Sequence, residues 1–213
     1  MAQGYGLEPL KRTIEIAEKA KLRVSVHASD SPVGIVPLLE QLRPGDIYCH
    51  AYHELGESIL NSEGVVRKEV WDARKRGVLF ELAHGKTQCS LEVERLAVRQ
   101  GFFPDIISTD YSAFSRKETL TYVMSELLAQ GMPLKEILRA VTENPGRLIW
   151  PELLPGLSVG KKADIAVIRT EKQTIRFTDQ HGNSVYGKVL LRPVLTMCGG
   201  MIVHRAADFY DFT

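Results

Sequence analysis

Three side chains able to bind a metal or move a proton fall where short apolar runs give out. They are His27 in "LRVSVHA" (22–28), His50 in "DIYCHAYH" (46–53) and Asp110 in "PDIISTD" (104–110). Two neutral imidazoles and a carboxylate suit a hard-to-borderline divalent ion such as Zn²⁺. The imidazoles donate nitrogen lone pairs. The carboxylate can ligate, or take a proton from metal-activated water. Taken singly, each residue has a plainer reading. A strand-end histidine is ordinarily a hydrogen-bonding loop residue, and a strand-end aspartate commonly caps the next helix. The metal reading requires all three to converge, which depends on the elements that carry them.

Those elements alternate. Leu7, Leu10, Ile14 and Ala17 recur at helical spacing in "LEPLKRTIEIAEKAK". The strand 22–28 follows, then a helix in "VGIVPLLEQLRPG" closed by Pro44-Gly45, and the strand 46–53. A helix over 65–76 ends at Gly77, before a third strand, "VLFELA" (78–83). "SLEVERLAVRQG" (90–101) is a helix with Gly101 at its end, where a left-handed cap is cheap. "DIISTD" is a fourth strand, and helical patterns run through 116–130 and 134–143. Short apolar strands alternating with amphipathic helices imply a parallel sheet with helical crossovers.

Alternate strand residues face opposite sides. Val24 and Val26 oppose Ser25 and His27; Ile47, Cys49 and Ala51 oppose Tyr48, His50 and Tyr52; Ile106, Ser108 and Asp110 lie together. If the small, apolar sides pack on helices, His27 and His50 face away from them, and Asp110 shares that side with Ser108. All stand near the C-terminal ends of their strands, where α/β sheets and barrels bind ligands. In the third strand Val78, Phe80 and Leu82 face helices, while Glu81 points inward. His53 has the opposite parity to His50 and reads as a loop residue. His84, in "AHGKTQCS", also reads as a loop residue, able to touch substrate or to bond a neighbouring loop. His181 and His204 fall in the later part of the chain and read as non-catalytic.

After about residue 150 the texture changes. "LLPGLSVGKKADIAVIR" carries a strand over Ala163–Arg169, and "TIRF", "SVYGKVLL", "VLTM" and "MIVH" follow as further short strands. A module boundary is expected at Trp150-Pro151, dividing an α/β part, 1–150, from an all-β part, 151–213. A net charge of +1 among 213 residues gives no polyanion-binding bias, so nucleic acid is not expected as a partner. No signal-peptide h-region and no apolar run of bilayer length is present, so a cytoplasmic protein off the membrane is expected. Three widely spaced cysteines without a C-x-x-C pair argue against a disulfide framework and a thiolate zinc site. No Gly-rich phosphate loop is present.

The ordered set "VHASDSP", "IYCHAYH", "IISTD", "TENPGRLI" and "GLSVGKKADIAVI" resembles the amidohydrolase superfamily, and within it the dihydroorotase-like deacetylase branch. The resemblance covers nearly the whole chain. It implies a (β/α)8 TIM barrel holding one or two divalent metals, usually zinc. The fifth-strand and sixth-strand histidine ligands fall on His27 and His50, and the eighth-strand aspartate on Asp110. That aspartate binds metal and shuttles a proton from bridging water to the leaving group. The resemblance further implies a small-molecule amide or ester substrate and a homo-oligomer once complete. The part after 150 resembles the C-terminal portion of the family's small β-sandwich.

Two family features have no counterpart here: the H-x-H pair of the first strand and the metal-bridging lysine of the fourth. A (β/α)8 barrel takes about 250 residues. The α/β part therefore matches the C-terminal half of a barrel, about four strand–helix units. Such a half exposes two sheet edges and leaves the metal short of ligands. By itself the chain is expected to be poorly active or inactive, with a separate N-terminal half-barrel chain as a partner that would complete it. The leading expectation is a metal-dependent hydrolase of a C–N amide or related ester bond. Against it stand a catalytically inactive remnant or assembly subunit, and a metal-free α/β small-molecule-binding domain.

Overall fold

The computed structural model describes residues 4–113, 115, 118–149, 151 and 156–210, with the backbone alone at 86 and 87. Trp150, half of the expected boundary, lies outside the described residues, as do 116 and 117 of the expected helix 116–130. Helix α1 (Glu8–Ala20) begins on Pro9 in its first turn and stops where Lys21 turns left-handed, φ 55°. It buries Ala17, and Leu10 packs against the core from outside.

The alternation expected from the sequence is present, with shorter strands. β1 (Ser25–His27), α2 (Ile35–Gln41), β2 (Ile47–Cys49), α3 (Lys68–Lys75) and β3 (Leu79–Phe80) form a parallel sheet in the order β1-β2-β3, with helices between. The register sets Val26 beside Tyr48 and Tyr48 beside Phe80. These residues face the helices. Tyr48 and Phe80 are fully buried, 5.5 Å apart at their ring centres, and Phe80 lies 5.1 Å from Phe102. Burying each such ring contributes roughly 1.5–3 kcal/mol from apolar area.

The expected fourth strand contributes a single bridge, Ile106 to Glu81. At its start the Asp105 carboxylate accepts the Phe80 N–H (2.9 Å), replacing a backbone partner. Further on, the Ile107 N–H goes to Ala140 O (3.0 Å), so no next strand takes it. The segment still runs beside the third strand's extension. Leu82 N–H donates to Ile106 O, His84 N–H to Ser108 O and Gly85 N–H to Thr109 O, at 2.9, 3.0 and 3.1 Å.

Short α4 (Gly85–Gln88) leads into α5 (Leu91–Arg99), followed by α6 (Leu120–Ala129), α7 (Leu134–Val141) and α8 (Glu143–Ile149). Ser90 caps α5 by accepting the Val93 N–H. Gly101 follows α5 at φ 76°, the left-handed turn its position predicts. Among the described residues no helix is long and apolar enough to cross a membrane.

The all-β part departs from the expected series of short strands. Two long strands, β4 (Ile165–Thr178) and β5 (Ser184–Cys198), pair antiparallel, and β6 (Met201–Arg205) extends the sheet on the far side of β5. The supposed breaks are register shifts at Val167/Ile168 and Lys172/Ile175, which a strand absorbs without ending. Pro193 sits opposite Ile168, at the first of these shifts, where a missing N–H is tolerated. The sheet packs on α6. Leu191 N–H donates to Ser125 Oγ (2.9 Å), and Tyr122 meets Phe177 edge-on at 4.9 Å. Asp179 also accepts the Leu91 N–H at the start of α5, 3.0 Å.

Candidate metal and catalytic site

The structure brings His27 and His50 together, their ring centroids 4.4 Å apart and the planes inclined by 63°. The route differs from the parity expectation. In β2 it is Tyr48 that packs toward the helices, because a phenol ring has far more apolar area to bury than its neighbours. Cys49 pairs with His27 in register and shares its side. Continued regularly, the strand would carry His50 toward the helices. The strand instead ends at Cys49, and His50 adopts φ 58°, which returns its ring to His27.

Backbone strain concentrates at this rim. His50, Ala83 and Asp110 are non-glycine residues at φ 58°, 42° and 47°. Such conformations persist where surrounding structure over-determines them, and they cluster at functional sites. Gly85 answers one of them: a Cβ there would overlap the Asp110 carboxylate. The Asp110 carbonyl accepts the Ser115 hydroxyl at 2.7 Å, bracing the turn from the other side.

Hydrogen bonds orient both imidazoles. His50 Nδ1 lies 2.8 Å from Ala83 O. A carbonyl only accepts, so Nδ1 carries the proton and Nε2 keeps its lone pair. His27 Nε2 lies 2.7 Å from Ser29 Oγ, which donates to Gln88 Oε1 at 2.5 Å. The hydroxyl has one proton, so His27 Nε2–H is the donor in that bond and Nδ1 keeps the lone pair. Burial lowers the His27 pKa, neighbouring His50 lowers it further, and the Asp110 charge partly opposes them. Each ring thus directs one nitrogen away from its hydrogen-bond partner, and the Asp110 charge acts on His27. This donor set fits a divalent zinc-type ion.

The floor is polar. Ser108 Oγ donates to Glu81 Oε1 at 2.8 Å, confirming that Glu81 points inward. Burial, and then the Glu81 charge, push the Cys49 thiol up to about 12, which keeps it a neutral neighbour of the histidines. His53 is buried, and that burial lowers its pKa to about 4.

His84 sits elsewhere. It precedes α4 with its ring buried, Nε2 3.0 Å from Glu126 and Nδ1 3.3 Å from Glu118. Burial opposes its charge, but the Glu126 carboxylate and its partners hold its pKa well above the ordinary value. His181 is in the β4–β5 turn, 2.8 Å from Glu54. Sequence reasoning missed the residues around His84, namely Cys89, Glu94, Glu126 and Gln130. The available signal was a carboxylate on an apolar helical stripe. Glu94 is buried with Leu91, Ala97 and Val98, and Glu126 with Val123 and Leu127.

No family model matches the sequence. Among curated proteins it is similar to the deacetylase Atu3266 of Agrobacterium fabrum, 30% identical over 199 residues, 92% of this chain and 49% of that protein. A deacetylase of Brucella anthropi is 30% identical over 187 residues, 84% of this chain and 45% of that protein. The chain spans about half the length of these curated relatives. Among solved structures, an adenine deaminase superposes with a TM-score of 0.89 at 25% identity, over 95% of this chain and 56% of that one. A dihydroorotase does so with a TM-score of 0.84 at 29% identity, over 95% and 54%. With deacetylases as sequence relatives and an adenine deaminase and a dihydroorotase as structural relatives, the chain belongs to the amidohydrolase superfamily.

Proposed function

We propose that this chain carries part of the active site of a metal-dependent hydrolase acting on a C–N amide or related ester bond. The observation that supports it best is the juxtaposition of His27 and His50, 4.4 Å apart, with the Asp110 charge acting on His27. His27 and His50 would hold the ion through the ring nitrogens their hydrogen bonds leave free. A divalent ion there supplies Lewis acidity toward the carbonyl and lowers the pKa of water. Asp110, exposed at the rim, takes the proton of the attacking water and returns it to the leaving nitrogen or oxygen. Gly85 leaves room for that carboxylate, and the Ser115 hydroxyl holds its backbone.

Two imidazoles and one carboxylate are fewer ligands than a well-shaped one- or two-metal site uses. We propose that the remaining ligands and the rest of a (β/α)8 barrel come from residues beyond this sequence, in the same polypeptide or in a partner half-barrel. The open side of β1 supports this. Among the described residues β1 pairs with β2 only. Beside β1, toward α1, lies a cleft of about 550 Å³, lined by Leu7, Leu10, Val24 and Val26 among others. A further parallel strand would bury that edge.

The test is metal content and turnover of the complete enzyme, of one chain or two, with His27→Ala and with His50→Ala. Substrates would be N-acyl amino acids, cyclic amides and acetyl esters. Each variant should lose metal bound at the rim and hydrolysis together while circular dichroism stays unchanged. Full metal content in both variants would remove the ligand assignment.

A further inference from the structure

A second cluster of donor atoms lies below the rim. His84, Cys89 and Glu94 are all buried, and one ligand atom from each lies within 4.8 Å of the other two. They come from one short stretch. His84 precedes α4, Cys89 follows it, and Glu94 lies in the first turn of α5. Cys89 Sγ donates to Glu94 Oε1 at 2.7 Å. The other Glu94 oxygen accepts from Gln130, whose own Oε1 is buried without a hydrogen bond. His84 Nε2 bonds Glu126, and its buried Nδ1 lies 3.3 Å from Glu118 Oε2.

Two features of this cluster call for a cation. Glu94 and Glu126 are both buried, with 0% and 1% exposure, and Glu118 and Glu126 face the two ring nitrogens of His84. Buried carboxyl groups in excess of their partners are costly unless a compact positive charge joins them. The donor types also differ usefully. A thiol, an imidazole and a carboxylate make the mixed S, N, O set that borderline-soft divalent ions prefer. A carboxylate bonded to the other nitrogen of a ligating histidine, as Glu126 is placed to be, is the usual support for such a ligand.

We infer that His84, Cys89 and Glu94 form a second, buried site for a thiophilic divalent cation of the zinc type, separate from His27, His50 and Asp110. On binding, the ion displaces the Cys89 thiol proton together with the protons that His84 Nδ1 and the Glu94 carboxyl hold, all of which pass to solvent, and the three donors close around it. Its place suggests a structural duty. His84 and Gly85 donate their N–H groups to Ser108 O and Thr109 O, so an ion fixing His84 would fix the segment leading into Asp110. The inference stands on this cluster alone and does not draw on the rim site.

Cobalt tests it, because a thiolate–cobalt bond gives a near-ultraviolet charge-transfer band that oxygen and nitrogen ligands do not. The full chain, in a Cys49→Ser/Cys198→Ser background stripped by chelator, is titrated with Co²⁺. The band should appear and saturate at one ion per chain. It should persist when His27 and His50 are both replaced by Ala, and vanish in Cys89→Ser. Glu94→Gln, which keeps side-chain shape, should weaken binding about tenfold or more and serves if Cys89→Ser does not fold. Absence of the band in the background, its survival in Cys89→Ser, or its loss with His27 and His50 would each overturn the inference. The first of these results would leave a purely hydrogen-bonded cluster.

Discussion

His50 can reach His27 because its own backbone leaves the extended region at φ 58°. Asp110 does the same at 47°, and Gly85 makes room for its carboxylate. Gly85→Ala should therefore act on Asp110. The new Cβ overlaps the carboxylate at a backbone position, φ +33°, that already disfavours side chains. Displacing a reacting group by about 1 Å costs on the order of 100-fold. A kcat reduced by that order, with metal content at the rim unchanged, is expected from steady-state kinetics and metal analysis. His27, His50 and Asp110 stood out in the sequence because each closes an apolar run. The parity argument for 46–53 failed because it treated Tyr48 as the polar partner of His50, whereas its ring is one of the largest fully buried side chains. A single left-handed residue then reversed the consequence, and no periodicity reports such a residue.

At the scale of elements, the order of helices and parallel strands follows from apolar periodicity, but strand length does not. Asp105 and Ala140 intercept N–H groups that a regular fourth strand would have used, and such side-chain and helix-end bonds leave no pattern in sequence. In the β part the error runs the other way. Residues 170–173, read as a break, continue β4 through a register shift. What ties this sheet to the rest is equally specific. Asp179 accepts the Leu91 N–H at the start of α5, and its other oxygen holds the His181 and Asn183 N–H groups of its own turn. Burial raises the Asp179 pKa, but these bonds outweigh it and hold the carboxyl below its usual range. Asp179→Ala should destabilise the chain by about 1–3 kcal/mol, from lost bonds to a charged acceptor. Urea unfolding at pH 7 reads this directly. Because the folded pKa is depressed, the difference from wild type should shrink as pH falls below the unfolded value of 3.8.

At the scale of the molecule, a parallel sheet carries the rim, an antiparallel sheet braces α6, and relatives about twice as long share both. The superfamily was legible from five short motifs in order, because each marks a strand end or a turn whose chemistry is fixed. The buried cluster around His84 was not, since Glu94 and Glu126 show only as carboxylates on apolar helical stripes and nothing in the sequence joins them to His84 and Cys89. The central claim is that Asp110 moves the proton in a metal-assisted hydrolysis. The most direct test compares kcat for Asp110→Asn and wild type in the complete, metal-loaded enzyme, on whichever acyl substrate the wild type turns over. Loss of a general acid–base should lower kcat by about 10²–10⁴-fold, with His27 and His50 still holding metal. Turnover equal to wild type in that variant would contradict the account.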